Sequence, residues 1–357
     1  MSQRVVVTGL GVISPIGNSV QDFWEGLMTG RSGAAPITSF DTSDFKNKIG
    51  CEVKDFDPAQ WVGSRAGDYG RASQMAIAAG RMALDDSGLD LEARAGENMG
   101  VSMGTTNGES QTIEKAVLSW YKTGTANFNE GFIFQCSSNI ISTNIADELG
   151  LLGPNIMIPT ACAAGNYAIG YAFDTIQKGV TDAMLAGGAE AFSRIAFTGF
   201  SRVHGMSPDV CRPFDKNRKG LLLGEGAGIV LLESFESAQK RGAKIYVEVL
   251  GYGLSSDAYH ITAPHPEGDG AARVMARALD RAGLCPSDVD YINAHGTGTG
   301  HNDKAETLAI KKVFGERAYR IPVSSIKALT GHGMGSASAI EAIACILSID
   351  KRMVPPT

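Results

Sequence analysis

Ile156-Met-Ile-Pro-Thr-Ala-Cys-Ala-Ala-Gly165 is the stretch that decides the fold. Ile156–Pro159 reads as a short apolar strand. From Ala164 to Gly179 small and apolar residues recur at helical spacing and end on glycine, which predicts a helix. A strand that gives way to a helix within a few residues is the unit of an α/β protein. Cys162 falls in the turn between them. There the helix dipole and free backbone N–H groups favour a thiolate, so a lowered thiol pKa and a nucleophilic role are predicted. Ala161, Ala163, Ala164 and Gly165 are expected to leave room for a bulky substrate. A buried structural cysteine is the alternative reading of the same residue.

Working outward, strands and helices alternate along the whole chain. Strands are predicted over Arg4–Thr8, Asn98–Met103, Ala183–Leu185, Gly226–Leu232, Lys244–Leu250, Tyr291–Ala294 and Pro322–Ile326. Helices are predicted over Asp22–Met28, Tyr69–Gly88, Asn139–Leu149, Gly270–Gly283, Asp303–Phe314 and Gly335–Ile349. A faint repeat links two halves: Met82-Ala-Leu-Asp-Asp-Ser-Gly-Leu89 recurs as Arg277-Ala-Leu-Asp-Arg-Ala-Gly-Leu284. Each copy precedes a strand that ends in Gly-Thr. The halves are predicted to be residues 1–240 and 241–357, packed as one body. Glycine is abundant, 44 in 357 residues, and clusters after apolar runs, as at Gly9 and Gly11. That predicts sharp strand exits and close backbone approaches.

Charge and composition exclude several classes. Acids outnumber bases 38 to 32 and no basic block appears, which argues against nucleic acid. No apolar run approaches the ~20 residues of a membrane span. Six scattered cysteines without a CxxC pair suggest reduced thiols and a cytoplasmic protein. Gly9-Leu-Gly11 lacks the third glycine and the acidic residue of a dinucleotide site, and Gly224-Glu-Gly-Ala-Gly228 reads as a structural turn. No cofactor is expected.

Two histidines stand at other strand exits among glycines: His295 in His295-Gly-Thr-Gly-Thr299 and His332 in Lys327-Ala-Leu-Thr-Gly-His332. Ligands of α/β proteins bind at the carboxyl ends of strands, so Cys162, His295 and His332 could converge on one ligand. His301 and the other two histidines lack helical HxxxH spacing with each other or with Cys162, so no metal is expected.

These three blocks resemble the signatures of the β-ketoacyl-acyl-carrier-protein synthases. Val6-Val-Thr-Gly-Leu-Gly-Val-Ile-Ser-Pro15, Ala186-Gly-Gly-Ala-Glu190, Arg212-Pro-Phe-Asp215, Gly224-Glu-Gly-Ala-Gly228 and Asn302-Asp-Lys-Ala-Glu306 match in order. The resemblance implies a thiolase-like fold, two similar halves in an αβαβα layered arrangement. It implies that Cys162 carries an acyl chain, and that His295 and His332 stabilise the enolate formed when a malonyl thioester loses carbon dioxide. It further implies that Lys327 and Glu306 form an ion pair orienting the histidines. The expected partner is an acyl carrier protein, whose phosphopantetheine arrives on the substrate; Arg202, in a local basic stretch, is the candidate docking residue. A homodimer, or a heterodimer with a paralogous chain-length subunit, is expected, with 132–134 and 139–149 as a candidate interface or, equally, a core helix.

The block His295-Gly-Thr-Gly-Thr-Gly-His-Asn-Asp303 is worded more like the ketosynthase half of type II polyketide heterodimers than like the elongation enzymes. Asn107 falls where the elongation enzymes carry an apolar pocket residue, which points toward a specialised chain. The family continues past Thr357 into a Gly-Phe-Gly-Gly turn. The expectation is therefore a natural gene product longer than 357 residues, and a poorly soluble, nearly inactive protein if it ends there. A thiolase working without carrier protein would need a second catalytic cysteine near the C-terminus. A catalytically impaired scaffold subunit is the non-enzyme alternative.

Overall fold

The computed structural model describes residues 3–90, 99–124, 134–137, 139–203 and 205–357. Strands β1 (Val5–Ile13), β2 (Gly100–Thr105), β3 (Asn155–Pro159), β4 (Ala183–Glu190), β5 (Gly226–Ser234) and β6 (Val247–Val249) form one sheet in the order β3-β2-β4-β5-β1-β6. β2 runs parallel to β3 and β4, whereas β5 is antiparallel to both β4 and β1. β6 was predicted to open the second half, but it pairs antiparallel with β1 at the sheet edge.

β1 is longer than predicted, because Gly9 and Gly11 do not end it. They lie inside the strand, where helix α2 (Arg71–Ser87) presses its backbone onto the sheet. A Cβ at Gly9 would stand 1.9 Å from the carbonyl oxygen of Ala83, and one at Gly11 would stand 1.8 Å from that of Ala79. We expect Gly11→Ala to lower stability by at least about 1–3 kcal/mol, since backbone must move to admit the methyl group. Denaturant unfolding would show it, and an unchanged midpoint would contradict this packing. A register shift between Val7 and Gly9 also switches the faces of β1. Val5, Val7, Leu10 and Val12 therefore all join the same buried cluster, although the two pairs differ in parity.

One face of the sheet is covered by α2 and α4 (Ile140–Leu149), the other by α5 (Ala164–Gln177) and α9 (Ala337–Lys351). Beyond these lies a parallel pair, β7 (Ile292–Asn293) and β8 (Val323–Ser324), which shares a cluster with α7 (Asp269–Ala282) and α8 (Gly300–Phe314). The layers run α, β, α, β, α. The repeated octapeptides are the last turns of α2 and α7. Each ends on a left-handed glycine, Gly88 at φ 63° and Gly283 at φ 67°.

Among the described residues, two helices of nine residues or more were not predicted. α3 (Ser110–Thr123) carries Ile113, Ala116, Val117, Trp120 and Tyr121 at helical spacing, yet Val117, Trp120 and Tyr121 are exposed. In α6 (Arg194–Arg202), Ser193 caps the N-terminus and Phe197 is buried among Phe40, Phe45 and Phe192. Of the expected interface, 132–133 lie outside the described residues. α4 turns Ile141 and Ile145 into the core against α2, as the core-helix reading expected, while Phe134 is exposed.

Candidate active site

Cys162 stands where β3 delivers the chain to α5. Ala161 has φ 44°, a left-handed conformation unusual for a residue with a Cβ, and Cys162 lies in a short 3-10 turn ahead of Ala164. The small residues also serve packing. Ala161 and Ala163 are exposed, but a Cβ on Gly165 would meet Ala339 of α9 at 2.8 Å, and Ala164 lies against Gly104 of β2. Their size lets the helix start seat tightly between sheet and α9.

His295 follows β7. Its own N–H and that of Gly296 donate to the two carboxylate oxygens of Glu306, at 2.7 and 2.8 Å. Asn302 Nδ2 donates to the same carboxylate at 3.2 Å. Glu306, on α8, therefore clamps the loop that carries His295. The predicted Lys327–Glu306 ion pair is not formed; Lys327 pairs with Glu341 of α9 instead. Glu341 was missed in the sequence, where its signal was a lone carboxylate within Ala337-Ser-Ala-Ile-Glu-Ala-Ile-Ala344. Lys327 is 1% exposed, so loss of its partner leaves a buried cation. We expect Glu341→Ala to cost about 3–5 kcal/mol. Thermal unfolding checks this; a wild-type melting profile would refute the pairing.

His332 is buried after the short helix Lys327–Thr330 and the left-handed Gly331. Its Nδ1 accepts the N–H of Met334 at 3.0 Å, which places the ring proton on Nε2. The His295 and His332 rings meet edge to face, with centroids 5.3 Å apart. One nitrogen of each ring and the Cys162 sulfur all lie within 4.8 Å of one another. Residues far apart along the chain thus converge as the sequence predicted.

Burial, with the nearby Lys327 charge, holds His295 down to about 3 and His332 well below the usual imidazole value. Both rings are neutral donors near pH 7. The thiol departs from expectation: burial pushes Cys162 up to about 11, against the smaller downward pull of Lys327. The helix terminus was visible in the sequence, but the desolvation that outweighs it was not.

The three ligand-type atoms could in principle hold a soft metal ion. Zinc bonds of ~2.0–2.3 Å would need tighter convergence, with ligand atoms roughly 3.3–3.8 Å apart. The adjacent Lys327 charge opposes a cation there.

Arg202 ends α6 and lines a groove of about 760 Å³ with Lys46, Arg194 and Lys219. Arg194 pairs with Glu114, whereas Lys46, Arg202 and Lys219 form no ion pair among the described residues. The groove's Phe45 and Met206 belong to the same apolar cluster as Met334, two residues from His332. Further along the basic stretch, Arg212 is engaged by Asp209 and Arg218 by Asp303. Among the described residues no helix is long and apolar enough to cross a membrane.

Comparison with known proteins agrees over the whole chain. Residues 2–238 match the β-ketoacyl synthase N-terminal domain and residues 246–357 its C-terminal domain. The chain is 45% identical to 3-oxoacyl-[acyl-carrier-protein] synthase 2 of Synechocystis sp., covering 99% of this chain and 87% of that protein. It is 42% identical to the synthase of the same name from Staphylococcus aureus, covering 100% and 88%. Among solved structures, the ishigamide ketosynthase/chain length factor superposes with a TM-score of 0.95 at 47% identity, covering 100% and 88%. A type II polyketide ketosynthase in complex with its acyl-carrier protein superposes at 0.90 with 34% identity, covering 100% and 88%.

Proposed function

The chain belongs to the β-ketoacyl synthase family, and from that premise we propose that it condenses a malonyl thioester with an acyl chain held on Cys162, releasing carbon dioxide and a 3-ketoacyl product. The observation that carries this reading is the convergence of one thiol and two neutral imidazoles. Cys162 attacks the acyl thioester, and its proton leaves with the departing carrier thiol. Malonyl thioester then loses carbon dioxide. The N–H groups of His295 and His332 stabilise the enolate oxygen, as preorganised donors do in a dry site. The enolate carbon attacks the acyl carbonyl and the Cys162 thiolate departs. These groups supply the charge stabilisation without a bound metal or cofactor. We read the halves as 1–240, which contributes Cys162, and 241–357, which contributes both histidines.

Carrier-borne substrates fit the groove at Lys46, Arg202 and Lys219, since an acidic carrier protein would be steered to it. The neighbours solved with a chain length factor favour a paired subunit of the same fold, and the intact Cys162 makes this chain the catalytic member. β3 lies at the sheet edge with Asn155 and Pro159 exposed, a place where a second chain could pair. All six cysteines are free, which supports a cytoplasmic setting.

The test is a reconstituted assay of the protein expressed from its full gene, alone and with candidate paralogues, on acyl- and malonyl-carrier protein. Release of carbon dioxide with a 3-ketoacyl product supports the reading; neither product under any pairing contradicts it. In the same assay Arg202→Glu is expected to lower kcat/KM for carrier-borne substrate roughly tenfold and to flatten its salt dependence. An unaltered salt response would remove Arg202 from the docking surface.

A further inference from the structure

The block Ala186-Gly-Gly-Ala-Glu190 matches the family pattern, but nothing above gives it a role. Glu190 ends β4 and is 1% exposed. Its carboxylate accepts the N–H groups of Thr106 at 2.6 Å, Asn107 at 2.9 Å and Gly335 at 3.1 Å, and the hydroxyl of Thr105 at 3.3 Å. No basic side chain pairs with it among the described residues. Burial raises its carboxyl to about 7 against these donors, which alone hold the charged form.

Three backbones meet around this carboxylate. A Cβ on Gly188 would stand 2.4 Å from the carbonyl oxygen of Gly335, and one on Gly335 would stand 2.6 Å from Thr105. The glycines of the block therefore let the turn after His332 lie directly on the sheet. Within that turn Met334 has φ 52°, a strained value for a side-chain-bearing residue. Such strain persists only where the surroundings over-determine it. The N–H of Met334 is the group that fixes the His332 tautomer.

We propose that Glu190 is a positioning residue for decarboxylation: by gripping Gly335 and the Thr106–Asn107 turn together, it holds Met334 in its left-handed conformation and His332 with its proton on Nε2. The chain of contacts runs from the Glu190 carboxylate to the Gly335 N–H, through the Met334 backbone, to His332 Nδ1. The role rests on the condensing reading above. Glu190 also faces Cys162 electrostatically, together with Lys327 and Glu341, and its charge disfavours the thiolate. Both nearby imidazoles are neutral.

The test compares the wild type with Glu190→Gln and Glu190→Asp. It uses malonyl decarboxylation, nitrogen NMR of the His332 ring, and the pH profile of Cys162 alkylation by iodoacetamide. Glu190→Gln should slow decarboxylation about 10–100-fold with little change in KM. It should also remove the single-tautomer signature of His332 and move the alkylation profile to lower pH. Glu190→Asp keeps the charge but not the reach. It should slow decarboxylation and disturb the tautomer while leaving the alkylation profile in place. If the Gln variant does not fold, the Asp variant carries the test. Wild-type decarboxylation and an unchanged His332 tautomer in the folded variants would overturn the proposal. A wild type that fails to decarboxylate malonyl thioesters would instead overturn the condensing reading, and the tautomer comparison would still decide the role of Glu190.

Discussion

Cys162→Ala is expected to abolish condensation, a loss on the order of 10⁴-fold or more, because no other group can carry the acyl chain. Cys51 and Cys211 are buried and Cys345 is half-buried, with thiols pushed up by burial to about 12, 11 and 12. None belongs to the cluster with the histidines. The alanine also leaves the donors of His295 and His332 in place. Decarboxylation of malonyl thioester should therefore persist in Cys162→Gln, whose side chain refills the space of the thiol. The measurement is carbon dioxide release set beside 3-ketoacyl formation. Full condensation by Cys162→Ala would refute the nucleophile.

The second large effect separates the histidines from the thiol. His295→Ala and His332→Ala should each cut decarboxylation by about 10²–10³, the usual consequence of losing one preorganised donor to a developing oxyanion. Acylation of Cys162 should suffer less, since the α5 terminus and Lys327 are unchanged. Single-turnover acylation and malonyl decarboxylation, measured on the same variants, test this. Equal loss of both steps would indicate a structural role. The neutral rings also set a direction for stability. Their folded-state pKa values lie below that of the unfolded chain, so their contribution is present above about pH 6.5 and lost as pH falls toward 3.

Much of this was legible in the sequence, for local reasons. Strand-to-helix turns and terminal glycines announce themselves within a few residues, and they pointed to Cys162, His295 and His332, which the fold brings together. What the sequence hid depends on neighbours far along the chain. Gly9 and Gly11 resemble a strand exit until α2 is seen lying on them. Glu306 and Lys327 looked like partners because both are charged and both accompany the histidine blocks. Yet one binds backbone N–H groups and the other reaches to α9. The thiol pKa depends on burial, which no window around Cys162 reports. α3 was missed although its signal stood in the sequence, with Ile113, Ala116, Val117, Trp120 and Tyr121 at helical spacing.

The central claim is that Cys162 carries the acyl chain, and intact-mass spectrometry tests it most directly. After incubation with acyl-carrier protein, the wild type should gain one acyl mass, located to the peptide containing Cys162. Added malonyl-carrier protein should discharge that mass as 3-ketoacyl product. The account predicts no adduct on Cys162→Ala. An adduct that survives that substitution, or that malonyl-carrier protein fails to discharge from the wild type, would contradict it.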